Sequence, residues 1–153
     1  MSKGIIFSKK DGSKLKIGIV TAEWNRAITG PLFDACNKAL QDSGVKAEHI
    51  FAIDVPGSFE LPLGAKYLID THGVDAVVCL GCLVKGETMH FEYIAEAVSH
   101  GIMNLGLDTG IPVVFGVLAC LTEAQAIARS TGDNNHGYGW GKTAVEMALL
   151  KNI

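Results

Sequence analysis

Four short apolar runs punctuate the chain, at residues 16–21 (K-I-G-I-V-T), 49–55, 76–80 (A-V-V-C-L) and 111–118 (I-P-V-V-F-G-V-L). They are rich in β-branched residues and lack the alternation of a strand with one wet face, so each is predicted as a strand buried on both faces. Between them the apolar positions fall at helical spacing. Residues 28–43 carry the stripe on Leu32, Ala35, Cys36 and Ala39, and Gly44 stops them; Leu63, Ala65, Tyr67 and Leu68 begin a second helix that ends at Gly73. Phe91, Ile94, Ala95 and Val98 mark a third, predicted from Thr88 to about Leu107, and residues 121–130 and 140–150 form two more. Residues 131–139, crowded with glycine and polar side chains, are predicted to be irregular. Strand and helix alternate four times, which predicts one three-layer α/β/α domain around a four-stranded parallel sheet with right-handed crossovers. That domain is assigned to residues 14–153. Residues 1–13 form a polar arm whose one apolar patch, Ile5-Ile6-Phe7, is either disordered or free to add a strand to a neighbouring subunit.

Composition narrows the function. The net charge of −3 comes with scattered basic residues, so no patch suits nucleic acid. Mean hydropathy is above zero, high for a chain of 153 residues. Extra buried surface is thereby implied, and oligomerisation is the simplest way to provide it. No apolar run approaches the roughly 20 residues that span a bilayer, and the first residues lack a signal peptide's apolar core, so no membrane partner and a cytoplasmic location are expected. Cys79 and Cys82 form a C-x-x-C, but Cys36 and Cys120 stand alone and no histidine pair completes a ligand set. The four cysteines are therefore read as small buried apolar residues, with no metal.

The chemistry gathers at residues 81–91, G-C-L-V-K-G-E-T-M-H-F. Following a strand and leading into a helix, this segment is predicted as a glycine-flanked turn from Gly81 whose free N–H groups, with the positive helix end, suit an anion. The spacing of Gly81, Gly86 and Thr88 nearly spells the nucleotide-binding G-x-x-x-x-G-K-[ST], but Glu87 stands where a lysine is needed. A carboxylate there repels a triphosphate, which excludes an ATPase or GTPase and leaves a monophosphate held by Gly86, Glu87 and Thr88. His90 follows at once, and histidine is the side chain suited to moving protons near neutral pH; the alternative is a histidine packed under the turn. Trp24-Asn25, Ser58 to Glu60, Leu83 and Phe115 all fall at the C-terminal ends of strands, where parallel sheets collect ligands. Trp24 is either core or a stacking platform, and Ser58 and Glu60 either cap a helix or meet a ligand.

The motifs V-P-G-S-F-E-L-P at residues 55–62, K-G-E-T-M-H-F-E-Y at 85–93 and F-G-V-L at 115–118 closely resemble the lumazine synthase family, in its order and spacing, across nearly the whole chain from Lys16. The resemblance implies a flavodoxin-like sheet of order 2-1-3-4. It implies a transferase of riboflavin biosynthesis that condenses 5-amino-6-(D-ribitylamino)uracil with 3,4-dihydroxy-2-butanone 4-phosphate, without cofactor. It also implies roles: Trp24 stacks on the pyrimidine beside Asn25, Ser58 and Glu60 hold ribityl hydroxyls around Phe59, and Cys82, Leu83 and Val84 line the pyrimidine edge. Gly86, Glu87, Thr88 and Arg129 hold the phosphate, and His90 moves protons. Phe115 and Arg129 come from an adjacent subunit of a homopentamer. Many members carry N-K-G where this chain has Asn135-His136-Gly137 ahead of Trp140-Gly141, as in the fungal branch, which puts His136 in the lysine's place. That loop favours a free pentamer over an icosahedral shell, and Lys142 is assigned to the last helix. Rival readings are a flavin- or pterin-binding carrier of the same fold and an inactive shell protein.

Overall fold

The computed structural model describes residues 4–151. In chain order it contains β1 (Ile17–Ala22), α1 (Arg26–Asp42), β2 (Ile50–Val55), α2 (Leu61–His72), β3 (Ala76–Val84), α3 (His90–Thr109), β4 (Val113–Cys120), α4 (Glu123–Ser130) and α5 (His136–Leu150). All strand pairs are parallel, in the order β2-β1-β3-β4. The expected three-layer α/β/α architecture and strand order are both present.

The uninterrupted apolar runs explain the sheet. β1 is buried at every position and β3 at its first seven, because α1, α4 and α5 cover one face and α2 and α3 the other. Successive residues feed opposite cores: Ile17 and Ile19 join the first, Val20 and Ala22 the second. The C-x-x-C obeys the same parity. Cys79 belongs to the α2 side and Cys82 to the α5 side, so the two thiols cannot meet, and burial pushes Cys79 up to about 12 and Cys82 up to about 11. Neither is a redox thiolate at neutral pH.

Two expectations need correction. Gly81 is not in the turn: β3 runs on to Val84, and the turn shortens to the residues before His90. Gly81 is glycine because Ser58 packs against it; a Cβ there would lie 2.5 Å from Ser58 Oγ. Residues 131–139 are also more regular than expected. Only Gly132–Asn134 forms a short 3-10 turn, Asn135 caps α5 by accepting from the Gly137 N–H at 2.9 Å, and the helix begins at His136. Gly132 takes a left-handed φ of 59°, whereas Gly137 and, just beyond, Gly141 serve close approach of helices. A Cβ on Gly137 would stand 2.2 Å from Leu32 O, and one on Gly141 2.8 Å from Cys36 O, both carbonyls of α1. Lys142 lies within α5, as expected, and donates to Ser43 Oγ at 3.0 Å.

The arm from Gly4 forms no strand, and Ile6 is 98% exposed. No helix among the described residues is long and apolar enough to cross a membrane. Beside the edge strand β4, an apolar groove of about 720 Å³ is walled by α3 and the end of α5 and includes Met103, Leu107, Phe115 and Leu150.

The close contact of α5 with α1 predicts unequal costs for glycine replacement. Gly137→Ala should lower stability to chemical denaturation by about 2 kcal/mol or more. Gly139, with nothing within 4 Å of an added Cβ, should accept alanine at no loss and with a gain of up to about 1 kcal/mol. Equal losses at both positions would rule out the packing role.

Candidate active site

The order β2-β1-β3-β4 means the chain leaves β1 in opposite directions for β2 and β3, which opens a crevice at their C-terminal ends. β3 pairs with β1 only as far as Leu80, yet with β4 as far as Val84. Residues 81–84 thus lack a strand partner on the β1 side. One carbonyl there is taken by Asn25, whose Nδ2 donates to Cys82 O at 2.9 Å. Asn25 adopts φ 63°, the left-handed region that asparagine tolerates better than most side chains, and turns the chain sharply from β1 into α1. On the other side, Glu23 and Trp24 donate to Val55 O and Pro56 O at 2.8 and 3.0 Å. The Trp24 backbone is held on both flanks while its side chain is 73% exposed, a platform rather than core.

The second wall is the 3-10 turn Ser58–Glu60. Glu60 does the capping, its Oε2 accepting from the Gly57 N–H at 3.0 Å, while Ser58 is buried against Gly81. Phe59 is 58% exposed and faces the same crevice as Trp24.

The third wall is the turn before α3. The Lys85 N–H donates to Cys120 O at 2.9 Å, ending the β3–β4 ladder. Beyond it Gly86, Glu87 and Thr88 are exposed, and no described residue accepts a hydrogen bond from their amides. Thr88 Oγ1 accepts from the His90 N–H at 3.4 Å, and His90 opens the helix. His90 thus stands at the helix start, not two residues inside it. Free amides and the positive end of a twenty-residue helix converge on this point, as an anion requires.

The three walls enclose a cleft of about 630 Å³. It brings together Trp24, Asn25, Ser58, Phe59, Glu60, Cys82, Leu83, Val84, Gly86, Thr88 and His90. Gly57, Phe91 and Ile94 also line it and escaped the sequence reading. Phe91 and Ile94 belong to the apolar stripe of α3, and spacing alone does not tell a helix face that meets a core from one that meets a cleft. The larger groove beside β4 is almost wholly apolar and holds no such convergence of polar groups, so the smaller cleft is the candidate site.

Four expected residues stay off this cleft within one chain: Glu87, Phe115, Arg129 and His136. Phe115 lies on the edge strand in the apolar groove. Arg129, in the last turn of α4, donates to Gln125 O at 3.0 Å. His136 begins α5 and meets Trp140 edge to face, with ring centroids 5.8 Å apart. Its pKa lies below the ordinary histidine value, chiefly through desolvation and secondarily through the Arg129 charge. Among the described residues no three His, Cys, Asp or Glu side chains cluster so as to hold a metal ion.

A sequence profile of 6,7-dimethyl-8-ribityllumazine synthase matches residues 14–152. The chain belongs to the lumazine synthase family. It is 47% identical to the 6,7-dimethyl-8-ribityllumazine synthase of Schizosaccharomyces pombe, over 96% of this chain and 94% of that protein. It is 41% identical to that of Pyricularia oryzae, over 98% and 94%, and 45% identical to that of Porphyromonas gingivalis, over 93% and 89%. The lumazine synthase relatives therefore span both cleft-forming motifs and the α4–α5 segment that lies away from the cleft.

The environment of His136 yields a signed prediction. Its ring protons should titrate below the usual histidine range in NMR, and Arg129→Gln should raise the midpoint without restoring it fully, because desolvation remains. A midpoint that did not move would place Arg129 too far away to act. Because the folded pKa is depressed, the unfolded chain takes up the proton first, so His136 weakens the fold as pH drops below about 6.5.

Proposed function

We propose that the protein condenses 5-amino-6-(D-ribitylamino)uracil with 3,4-dihydroxy-2-butanone 4-phosphate to 6,7-dimethyl-8-ribityllumazine in riboflavin biosynthesis, releasing phosphate. The observation that carries this reading is the meeting, in one cleft, of an exposed tryptophan, a polar turn and a loop of unbonded amides beside a histidine. Family membership supplies the substrates.

In this reading Trp24 stacks on the pyrimidine, with Phe59 and Ile94 as apolar walls and the strand-less backbone of residues 82–84 along the pyrimidine edge. Asn25 lies beside the ring, with one side-chain donor already committed to Cys82 O. Ser58 and Glu60 meet the ribityl hydroxyls. Gly86, Glu87 and Thr88 hold the phosphate through main-chain N–H groups, so Glu87 contributes its amide while its carboxylate stays outside. One amine must add to the ketone and lose water, phosphate must leave, and the ring must close. Each step moves protons and none moves an electron pair to a carrier, so the work falls to His90, to the phosphate cradle and to the holding of two substrates side by side.

The same reading makes the active unit a homopentamer, with Phe115, Arg129 and His136 delivered to a neighbour's cleft and Arg129 neutralising the phosphate. Two observations support it. These residues do not line the cleft of their own chain, and the groove at Phe115 leaves Met103, Leu107 and Leu150 more exposed than a free surface favours. A free pentamer in the cytoplasm is the expected state. Exposed Trp24 and Phe59 also suit a flavin, so a carrier of flavin or pterin is the second reading.

Mixing the purified protein with the two substrates should produce lumazine fluorescence and release phosphate; tightly bound yellow flavin without turnover would support the carrier. His90→Ala should lower turnover by about 100-fold while substrate affinity changes little. Arg129→Ala should mainly raise the KM for the phosphorylated ketone. Full activity of His90→Ala across neutral pH would remove His90 from proton transfer.

A further inference from the structure

The loop of residues 86–89 carries the proposed phosphate site, yet it packs against very little. All four residues are exposed, and a Cβ added to Gly86 would meet nothing within 4 Å. Its two ends are nonetheless firm. Lys85 is pinned to β4 through its N–H bond to Cys120 O, and Glu92 is the third residue of α3, at the positive end of the helix, where a carboxylate is favoured. Lys85 Nζ forms an ion pair with Glu92 Oε1 across the mouth of the loop and lies 5.8 Å from the centroid of the Phe91 ring, itself part of the cleft wall. The other carboxylate oxygen, Glu92 Oε2, is shut off from solvent and has no hydrogen-bond partner. Among the described residues Lys85 is thus the only charge partner of a carboxylate that is half withdrawn from water.

We propose that Lys85 and Glu92 form a clamp that sets the shape of the phosphate loop and the direction of its amides, which makes both of them positioning residues for the condensation. An ion pair this exposed adds little to global stability. Its effect is local: it joins the last anchored residue of β3 to the first turn of α3 and leaves only a short arc free between them. Without Lys85 the half-buried carboxylate of Glu92 would be unpaired and would turn towards water or repel the arriving phosphate. Without Glu92 the arc would lose its brace, and His90, whose N–H rests on Thr88 Oγ1, would lose its fixed approach.

This inference rests on the function proposed above, and the test separates the two. Binding of inorganic phosphate to the intact protein is measured by calorimetry alongside the KM for each substrate, for Lys85→Gln, Glu92→Gln and the double variant. A clamp predicts that each single change weakens phosphate binding by about fivefold and that the double change is no worse than either, the mark of coupled residues. The KM for the uracil substrate should stay unchanged, and Lys85→Arg should retain wild-type binding. If Glu92→Gln instead tightens phosphate binding, Lys85 is a phosphate ligand that Glu92 restrains, and the clamp is overturned. Additive losses, or an equal rise in both KM values, overturn it as well. Phosphate binding left unchanged by both single variants overturns it too, whereas a wild type that forms no lumazine while the variants show the coupled phosphate losses sinks the proposed function and upholds the clamp.

Discussion

The molecule depends on an unequal ending of hydrogen-bond ladders. β3 runs four residues beyond its last pairing with β1 but keeps step with β4, so a length of strand backbone projects with no strand paired on its β1 side. Unclaimed backbone groups in a partly desolvated place must find partners or lose stability. Asn25 satisfies one and sets the direction of α1 in doing so. The remainder give the cleft a polar floor.

Everything that frames this floor follows from burial of the sheet on both faces. With two helical layers in place, the strands can be continuously apolar, and polar residues are left to the rim. Close packing then dictates the glycines. Gly81 yields to Ser58, which lets the 57–60 turn sit down on β3, and Gly137 and Gly141 let α5 press on the carbonyls of α1. The first contact shapes the cleft directly. The second sets His136 beside Trp140 and within reach of the Arg129 charge, away from the cleft.

Charge is used sparingly. In the loop of residues 86–89 no cation among the described residues faces the cleft, because the neighbouring Lys85 is paired with Glu92, and the free polarity there is that of the amides. Amides are dipoles of fixed direction, so an anion site built from them would select by geometry rather than by dense positive charge. Its weakness is that it is only as good as the loop that aims it.

The amino-acid sequence alone determined the layers, the number of strands, the rim on which chemistry collects and most of the residues in the cleft, because two-sided burial and helical spacing leave periodic marks that need no partner to read. It also carried the family motifs, which lie in contiguous stretches. Tertiary structure alone decided the rest. Whether Gly81 and Gly137 mark turns or close contacts depended on Ser58 and Leu32, each distant in sequence from the glycine it excludes a side chain from. Whether Glu60 or Ser58 capped its turn depended on which of them β3 had already buried. That Glu87 and His136 stand apart from the cleft was likewise hidden, since spacing reports the face of an element a residue occupies and only packing reports what that face meets; for Phe115 and Arg129 the family resemblance already points to an adjacent subunit.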